Sequence, residues 1–359
     1  MNSNAQSLDS YQQLPALTSL RFFAALTIVF FHIPFVLPLS SAKTILENPY
    51  GVNFFFILSG FILRHTTYKK NICWATFYRR RMARILPLHY LTLIIWIMVF
   101  FATWGVPFPD KINSGITNIL LIQAFFNGDL FNLGFNPVSW GISVELFFYF
   151  IFPWIVHKKR ALIIFLLYVI FLCTALRQWL VSLNTLWPNF FSFNPLAHLF
   201  EFSYGIVLYQ LYRCFEPKKT LASLLQILSI ALLIFFIKIS HKYSQPQQNL
   251  LLFFPYGMII VSFAWSGILQ KILSIKPLIL LGEASFSLYI THHMFLQVLN
   301  PLLLKSGLPY TLSLAVGIGS AIILSLIVFF LLERPMRSYF ANSAKHNRLS
   351  SINIQDTLR

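Results

Sequence analysis

The sequence predicts an all-α membrane protein, a bundle of about ten transmembrane helices with both termini in the cytoplasm. Of its 359 residues, 57% are hydrophobic and 10% are charged, whereas an average soluble domain carries about 25% charged residues. Aromatic residues make up 17% of the chain, and the mean hydropathy is +0.70. The apolar residues are grouped into long blocks, as membrane spans require. This composition excludes soluble, collagenous, disordered and disulfide-scaffold proteins.

Ten blocks of the sequence are long enough to cross a bilayer, which takes about 20 mostly apolar residues. The predicted spans are 16–36, 49–65, 85–104, 138–157, 161–182, 195–213, 220–239, 249–268, 277–299 and 311–332. In the longest connection, about 105–137, the apolar stretch Ile116–Phe126 is too short to cross and is predicted to be re-entrant or interfacial. The chain therefore divides into a cytoplasmic segment at 1–14, a membrane domain at 15–340 and a polar, disordered tail at 341–359.

The orientation of the bundle follows from its basic residues. The chain has 27 Lys and Arg against 10 Asp and Glu, a formal net charge of +17. With the N-terminus inside, 20 of the 27 lie in the cytoplasmic segments, 6 lie on the opposite side, and Arg21 lies within span one. Membrane proteins show this bias towards their cytoplasmic loops. The bias predicts that both termini are cytoplasmic, and it explains the positive charge without a nucleic-acid partner.

Span one carries two ionisable residues, Arg21 and His32. At a helix centre in the bilayer, a charged group costs at least about 2.5–3.5 kcal/mol. The 1.5 Å rise per residue separates the two by roughly 16 Å, and the 100° step places them on one helix face. The pair is either functional, or an Arg that snorkels to the interface and a His that packs neutral against a partner.

Spans two and three add further polar candidates. Asn53 and Ser59 lie among aromatic residues in the glycine-flanked segment Gly51–Phe61. Arg81 and Arg84 stand three residues apart, on one face, at the cytoplasmic mouth of span three. They are either charges that set the topology or a phosphate site, to which the guanidinium fork is well suited.

Glu145 lies two turns into the otherwise apolar span four, after Trp140 and Ser143. No basic residue lies within a turn of it, so its partner is expected from another helix, unless the carboxyl group is protonated. Glu145 and His32 are estimated to lie roughly 10 Å and 6 Å below the outer ends of their spans. These similar depths predict that both face the same internal cavity.

The later spans carry the remaining polar groups. In span six, the spacing of His198 and Glu201 permits a hydrogen bond or a metal contact, but no third ligand follows and no metal site is predicted. Glu333 is expected to anchor the cytoplasmic end of span ten. Span nine contains Glu283, Ser285, Ser287, Tyr289, His292 and His293.

Taken in order, these segments resemble the acyltransferase-3 family of membrane acyltransferases. Arg21 and His32 match its signature of Arg, ten residues and His. The other blocks are similar to its Gly-Val-Asp-x-Phe-Phe-x-Leu-Ser-Gly-Phe motif at Gly51–Phe61, Arg-x-x-Arg at Arg81–Arg84, Trp-Ser-Leu-x-x-Glu at Trp140–Glu145 and Leu-Gly-x-x-Ser-x-Ser-Leu-Tyr-x-x-His at Leu281–His292. Asn53 replaces the common Asp, so an acid role there is not expected. Gly141-Ile142 replace Ser-Leu, a change expected to matter little.

The resemblance implies transfer of an acyl group, usually acetyl from acetyl-CoA, to a hydroxyl of an envelope carbohydrate. The acceptor would be lipopolysaccharide O-antigen, exopolysaccharide or a lipid-linked sugar, and the protein would lie in the bacterial cytoplasmic (inner) membrane. Direct transfer and an acyl-enzyme both stay open. The predicted partners are acyl-CoA, the glycan and the lipid bilayer, with no nucleic acid and no tightly bound cofactor.

The resemblance also assigns roles to individual residues. His32 would be the general base, with Glu145 as a second catalytic group. The donor would be bound by Arg21, Arg81 and Arg84. The predicted supporting residues are Asn53, Ser59, Trp140, Ser143, Tyr289 and His292.

Two other functions fit some of these observations. A secondary transporter or glycan flippase also needs intramembrane charges, although the sequence shows no half-to-half repeat. A non-catalytic membrane scaffold would leave Arg21, His32 and Glu145 without a purpose. Transfer of label from acetyl-CoA to glycan distinguishes the enzyme from the transporter.

Overall fold

The computed structural model describes residues 14–36, 49–70, 72–104, 110–126, 128–156, 163, 166, 190–240, 242 and 245–340. The described residues are mostly helical and include no strand, which confirms the all-α prediction. The first six helices are α1 (Pro15–Val36), α2 (Gly51–Thr67), α3 (Trp74–Trp104), α4 (Asp110–Ile119), α5 (Asp129–Asn132) and α6 (Trp140–Val156). The others are α7 (Phe190–Phe193), α8 (Leu199–Cys214), α9 (Lys219–Ser240), α10 (Gln245–Ala264), α11 (Ile268–Leu273), α12 (Lys276–Glu283), α13 (Ser285–Lys305) and α14 (Tyr310–Val328). A 3₁₀ turn spans Gln123–Phe125, and a π-helical turn, Phe329–Glu333, continues α14.

Four helical stretches are long and apolar enough to cross a membrane: Pro15–Ile33, Trp74–Val99, Lys219–Ser240 and Thr311–Phe340. They overlap predicted spans one, three, seven and ten. Large apolar side chains on these and neighbouring helices are exposed, among them Met98 at 65% and Trp154 at 77%, as suits a lipid-facing surface. The chain is therefore a helical membrane protein.

The other predicted spans are shorter than these four stretches or are interrupted. Spans four and eight correspond to shorter apolar helices, Trp140–Val156 and Leu251–Ala264. Span five, at 161–182, lies outside the described residues apart from positions 163 and 166, and so do residues 1–13 and 341–359. The number of ten spans and the orientation of the termini stay predictions.

Two predicted boundaries are wrong. Span nine is two helices, because α12 ends at Glu283 and α13 begins at Ser285 after a break at Ala284. Hydropathy does not detect such a break, since both pieces are equally apolar. Span three was predicted to begin at position 85, but α3 begins at Trp74 and includes the basic stretch, as the good helix propensity of arginine allows.

The centre of the bundle is the crossing of α2 and α8. A Cβ atom at Gly60 would overlap the carbonyl of Phe202, and one at Gly205 would overlap the carbonyl of Ile57. Paired glycines of this kind let the backbones of two membrane helices touch. Phe148 of α6 stacks on Phe202 at 4.5 Å between ring centroids, so α6 is held against the same crossing.

Helix α1 packs beside α12 and α13 and runs in the same direction as they do. Thr18 lies against Gly282 near one end, and His32 lies against His292 further along both helices. Phe22, Ala25 and Val29 of α1 share an apolar cluster with Leu288 and Leu296 of α13. This parallel packing places the polar residues of α1 and α13 side by side.

The segment between α3 and α6 returns into the bundle. His89, near the middle of α3, has its Nε2 2.9 Å from the carbonyl oxygen of Asn118, and Tyr90 donates a 3.1 Å hydrogen bond to the carbonyl of Ile119. Asn136 donates a 3.0 Å bond to the carbonyl of Ile290 in α13. This position favours the re-entrant arrangement over the interfacial one.

Candidate functional site

A cavity opens between α1, α2, α3, α6 and α13. Its empty volume is about 790 Å³, a figure that includes the space at its open mouth. Its walls are mostly apolar side chains of α2 and α6. The polar lining residues are Arg21, Ser59, Arg81, Arg84, Glu145, Tyr149, Ser285 and Tyr289. We call this space the arginine cavity.

The arginine cavity brings together residues that are distant in the sequence. Arg21 comes from the first turns of α1, and Arg81 and Arg84 come from one face of α3. Glu145 reaches the cavity from α6 and Tyr289 from α13. All three predicted donor-binding arginines therefore line one space.

Positive charge exceeds negative charge in this cavity, since three guanidinium groups and one carboxylate line it. Arg21 is repelled by Arg84 and Arg337 and attracted by Glu145 and Glu333. No ion pair within 4 Å joins Arg21 or Arg84 to a carboxylate in the part of the chain that the structure describes. An anionic ligand would supply the missing negative charge.

Glu145 has a partner that the sequence prediction placed elsewhere. Tyr149, one turn further along α6, donates a hydrogen bond to the Glu145 carboxylate. The expectation that this partner would come from another helix is wrong for the hydrogen bond, because positions i and i+4 meet on a helix face. Arg84 of α3 interacts with Glu145 only through its charge.

Several polar atoms near the cavity have no hydrogen-bond partner among the described residues. They include Nε of Arg81, Oγ of Ser285 and Oγ of Ser143, all buried. The Arg81 guanidinium lies 5.6 Å from the ring of Phe77 and 5.7 Å from that of Tyr149, which limits its movement. Buried polar atoms nearly always have partners, so Arg81 and Ser285 are groups that a ligand in the cavity could satisfy.

A second polar group lies further along α1 and α13. His32, His292 and His293 form a triangle of rings, with centroids 5.1 Å, 5.2 Å and 6.4 Å apart. Nδ1 of His32 lies 3.1 Å from Nε2 of His292. We call these three residues the histidine cluster.

The neighbouring carbonyl groups determine which ring nitrogens carry protons. Nδ1 of His292 lies 3.1 Å and 2.8 Å from the carbonyl oxygens of Leu288 and Tyr289, which only accept, so it donates. Nδ1 of His32 lies 2.9 Å from the carbonyl oxygen of Ile28 and donates as well. In the neutral ring, Nε2 of His32 therefore holds the lone pair, the form that a general base requires.

Tyr289 connects the arginine cavity with the histidine cluster. It lines the cavity, its ring centroid is 6.5 Å from that of His292, and its hydroxyl donates a 2.5 Å hydrogen bond to the carbonyl of Val138. His32 does not line the cavity, so the expectation that it shares one space with Glu145 is not met. The tyrosine side chain therefore lies beside both groups.

The replacement of the serine of the motif by Gly141, which was expected to matter little, affects the packing of Tyr289. A Cβ atom at this position would overlap the Tyr289 hydroxyl. A serine, the usual residue of the motif, would displace the end of the Tyr289 side chain. The glycine therefore permits the tyrosine to bond to Val138.

The other predicted residues lie around these two groups. Ser59 lines the cavity, and Asn53 is buried near the start of α2. Trp140 packs edge-on against Phe56 at 6.2 Å and lies 5.8 Å from the ring of His198. Asn53 and Trp140 do not line the cavity, whereas Ser59 contributes to its wall.

Two later candidates have structural partners. Nδ1 of His198 lies 3.4 Å from Oε1 of Glu201. Of the two contacts that their spacing permits, the hydrogen bond is therefore the one observed. Among the described residues, no group of three His, Cys, Asp or Glu side chains could hold a metal ion. Glu333 is more than an end anchor, because it is buried, accepts a 2.6 Å bond from Ser287 and pairs with Arg337 at 3.3 Å. Its partners lie on α13 and one turn beyond the π-helical turn, so the sequence near Glu333 could not reveal both.

Sequence reasoning did not single out Tyr149 or Trp96. Tyr149 could have been found, because it stands four residues after Glu145 in an apolar helix. Trp96 gives no local signal, and only its position 6.2 Å from the ring of His293 brings it to the site.

Known proteins resemble this chain over most of its length. The family described as "Acyltransferase domain" matches residues 14–334. The acyltransferase MdmB of Streptomyces mycarofaciens is 28% identical over 320 residues, which cover 79% of each chain. The O-acetyltransferase OatA of Staphylococcus aureus is 22% identical over 371 aligned residues, which cover 92% of this chain and 58% of OatA. No solved structure matches the chain.

Proposed function

We propose, because this chain belongs to the acyltransferase-3 family, that it is a membrane O-acetyltransferase with acetyl-CoA as donor and a hydroxyl of a cell-envelope glycan as acceptor. As a member of this family the chain is an acyltransferase of groups other than amino-acyl groups. Its relative OatA is an O-acetyltransferase, which supports acetyl as the transferred group and oxygen as its destination. The inner membrane of a bacterium is the proposed location.

The excess of positive charge in the arginine cavity is the observation that carries the proposal. CoA is a polyanion with several phosphate groups and a long arm that ends in the thioester. Guanidinium groups bind phosphate oxygens through paired, charge-assisted hydrogen bonds. Arg21, Arg81 and Arg84 would hold the phosphate end, with Nε of Arg81 and Oγ of Ser285 as further donors.

The distance between the two polar groups fits a donor of this shape. Arg21 and His32 lie eleven residues apart on α1, or roughly 16 Å along the helix. A thioester at the end of an arm can reach His32 while the phosphates stay on the arginines. On this path the arm would run along Tyr289, which lines the cavity and lies beside His292.

His32 would act as the general base. Its Nε2 takes the proton of the acceptor hydroxyl while the hydroxyl oxygen attacks the thioester carbonyl carbon. The carbon–sulfur bond then breaks, and the leaving sulfur takes the proton from His32. The products are an acetyl ester and CoA thiol, and His292 stabilises the transient imidazolium by accepting the hydrogen bond from Nδ1. In the arginine cavity, Glu145 offsets part of the positive charge and holds Tyr149 in place.

The experiment is an assay of membranes that contain the full chain, incubated with radiolabelled acetyl-CoA. We expect ester-linked label in the glycan fraction, and loss of that label in His32→Ala. The matched control is His65→Ala, which removes a half-buried histidine at the far end of α2. Label that stays on CoA with wild-type membranes and their native glycans would contradict the function.

A further inference from the structure

Two buried polar atoms, one in the histidine cluster and one beside it, have no hydrogen-bond partner within the described residues. They are the indole Nε1 of Trp96 in α3 and Nδ1 of His293 in α13. The centroid of the His293 ring is 5.2 Å from that of His32 and 6.2 Å from that of Trp96. His293 is only 6% exposed, so bulk water does not satisfy its nitrogen. Buried polar atoms without partners are uncommon in proteins, and here His293 contacts the proposed base while Trp96 lies on His293.

The contacts of His292 account for both of its nitrogens, whereas those of His293 do not. In His292, Nδ1 donates to main-chain carbonyls and Nε2 faces His32. The neighbouring His293 has the same chemistry but presents Nδ1 to no protein group in the described part of the chain. The two adjacent histidines therefore differ in how far the protein satisfies their ring nitrogens.

The chemistry of the two atoms selects the kind of ligand. The Trp96 nitrogen only donates a hydrogen bond, and an imidazole nitrogen donates or accepts. A hydroxyl group both donates and accepts, so neighbouring hydroxyls can satisfy the two atoms together. A pyranose ring also offers a face of C–H bonds to an indole and presents its hydroxyls at the rim. An anion would bind at the arginine cavity instead, where the positive charge is.

We propose that Trp96 and His293 form the subsite for the acceptor, with a carbohydrate hydroxyl as ligand. This inference rests on the proposed function for the identity of the reaction. The subsite positions one acceptor hydroxyl at Nε2 of His32, and a second hydroxyl binds the indole nitrogen.

The position of Trp96 along α3 agrees with this assignment. Arg84 and Trp96 are twelve residues apart on α3, roughly 18 Å along the helix axis. Arg21 and His32 have a similar spacing on α1, roughly 16 Å. Each of the two helices therefore contributes one group to the donor level and one to the acceptor level.

The test separates binding of the acceptor from transfer. The full chain is reconstituted in lipid nanodiscs, and binding of methyl glucoside, methyl galactoside and methyl N-acetylglucosaminide is measured by saturation-transfer NMR. Acetyl transfer to the same glycosides from radiolabelled acetyl-CoA is measured in parallel. These probes have no alkyl tail, so partition into the lipid does not contribute.

The decisive variant is Trp96→Phe, which keeps an aromatic ring and removes the indole N–H. We expect it to weaken glycoside binding about threefold to tenfold, the effect of one lost hydrogen bond, and to leave the KM for acetyl-CoA unchanged. The matched control is Trp154→Phe, because Trp154 is 77% exposed on the outside of α6. The control should bind the glycosides as the wild type does.

His293 is tested by a pair of substitutions. His293→Asn keeps a polar atom near the position of Nδ1, and His293→Leu removes it. We expect Asn to retain most of the binding and Leu to lose it, whereas a merely structural role would make both equally harmful or harmless. Membrane abundance and thermal stability are compared in all variants.

The possible outcomes test the proposed acceptor subsite separately from the proposed acetyl-transfer reaction. Wild-type binding that Trp96→Phe and His293→Leu both weaken supports the subsite, even if no acetyl group is transferred. Wild-type protein that binds none of the glycosides, or binding unchanged in both variants, overturns the subsite. Acetyl transfer that persists in that case leaves the proposed function intact.

Discussion

The arginine cavity and the histidine cluster lie at two levels of the bundle, and they differ in how much of their buried polarity the protein itself satisfies. The cavity is open and has three guanidinium groups against one carboxylate, with donors that no protein group satisfies. In the histidine cluster, His32 and His292 contact each other and main-chain carbonyls. The arginine cavity needs an anionic ligand to balance its positive charge. In the histidine cluster, the contacts of His32 already keep the proton of its neutral ring on Nδ1. This difference supports our proposal, in which the level of the arginine cavity binds the donor and the level of the histidine cluster performs the proton transfer.

Loss of the base should have the largest effect. We expect His32→Ala to lower the rate of acetyl transfer about 10²–10⁴-fold, the usual contribution of general-base catalysis. Membrane abundance should stay normal, since α1 keeps its apolar packing. The rate is measured with radiolabelled acetyl-CoA and the abundance by immunoblot. Near-normal transfer in this variant would remove His32 from the chemistry.

Substitution of the cavity arginines should weaken only the binding of the donor, acetyl-CoA. In Arg84→Lys and Arg81→Lys the positive charge stays but the bidentate fork is lost, so the KM for acetyl-CoA should rise about tenfold. Arg80→Lys is the matched control, because Arg80 is exposed on the same helix and does not line the cavity. An unchanged donor KM in both cavity variants would reduce these arginines to determinants of topology.

His292 should affect the rate and not the binding of the donor. Because its Nε2 faces Nδ1 of His32, we expect His292→Leu to lower kcat about threefold to tenfold with an unchanged donor KM. His292→Gln, which can still accept that hydrogen bond, should recover most of the loss. Equal kcat values in the Leu and Gln variants would contradict a role in positioning His32.

The contact between Gly141 and Tyr289 should appear as a change in stability. Alanine is normally a better helix former than glycine, yet a Cβ atom at position 141 overlaps the Tyr289 hydroxyl, so Gly141→Ala should destabilise the protein by about 1–3 kcal/mol. Thermal unfolding in detergent measures the effect. The control is Gly319→Ala on α14, where a Cβ atom meets nothing within 4 Å. Adding Tyr289→Phe to Gly141→Ala should restore stability, and a double variant as unstable as the single one would contradict the assigned clash.

The smallest effect is expected at the C-terminus. The residues after position 342 are polar and lack apolar periodicity, so truncation at Ser343 should change neither insertion nor activity. Both are measured in membranes, side by side with the full chain. A truncated protein that inserts normally but is inactive would assign the tail a part in the reaction.

Much of the fold and part of the site could be predicted from local sequence. Long apolar blocks indicate helices in a membrane, and four of them are long enough to cross one. The helical period alone places Arg21 and His32 on one face of α1, and Arg81 and Arg84 on one face of α3. Each of these statements concerns residues within one helix, where hydrogen bonds between turns determine the geometry.

Only the tertiary structure decided which helices meet. His32 and His292 are 260 residues apart, Ser287 and Glu333 are 46 apart, and neither contact has a local signal. In a soluble protein an amphipathic pattern shows which face is buried, but lipid is as apolar as the core, so a membrane helix carries apolar residues on every side. The interfaces are then determined by close packing, such as that of Gly141 against Tyr289. The sequence by itself therefore determined the helices and the residues that share their faces, and the packing of those helices separated the arginine cavity from the histidine cluster.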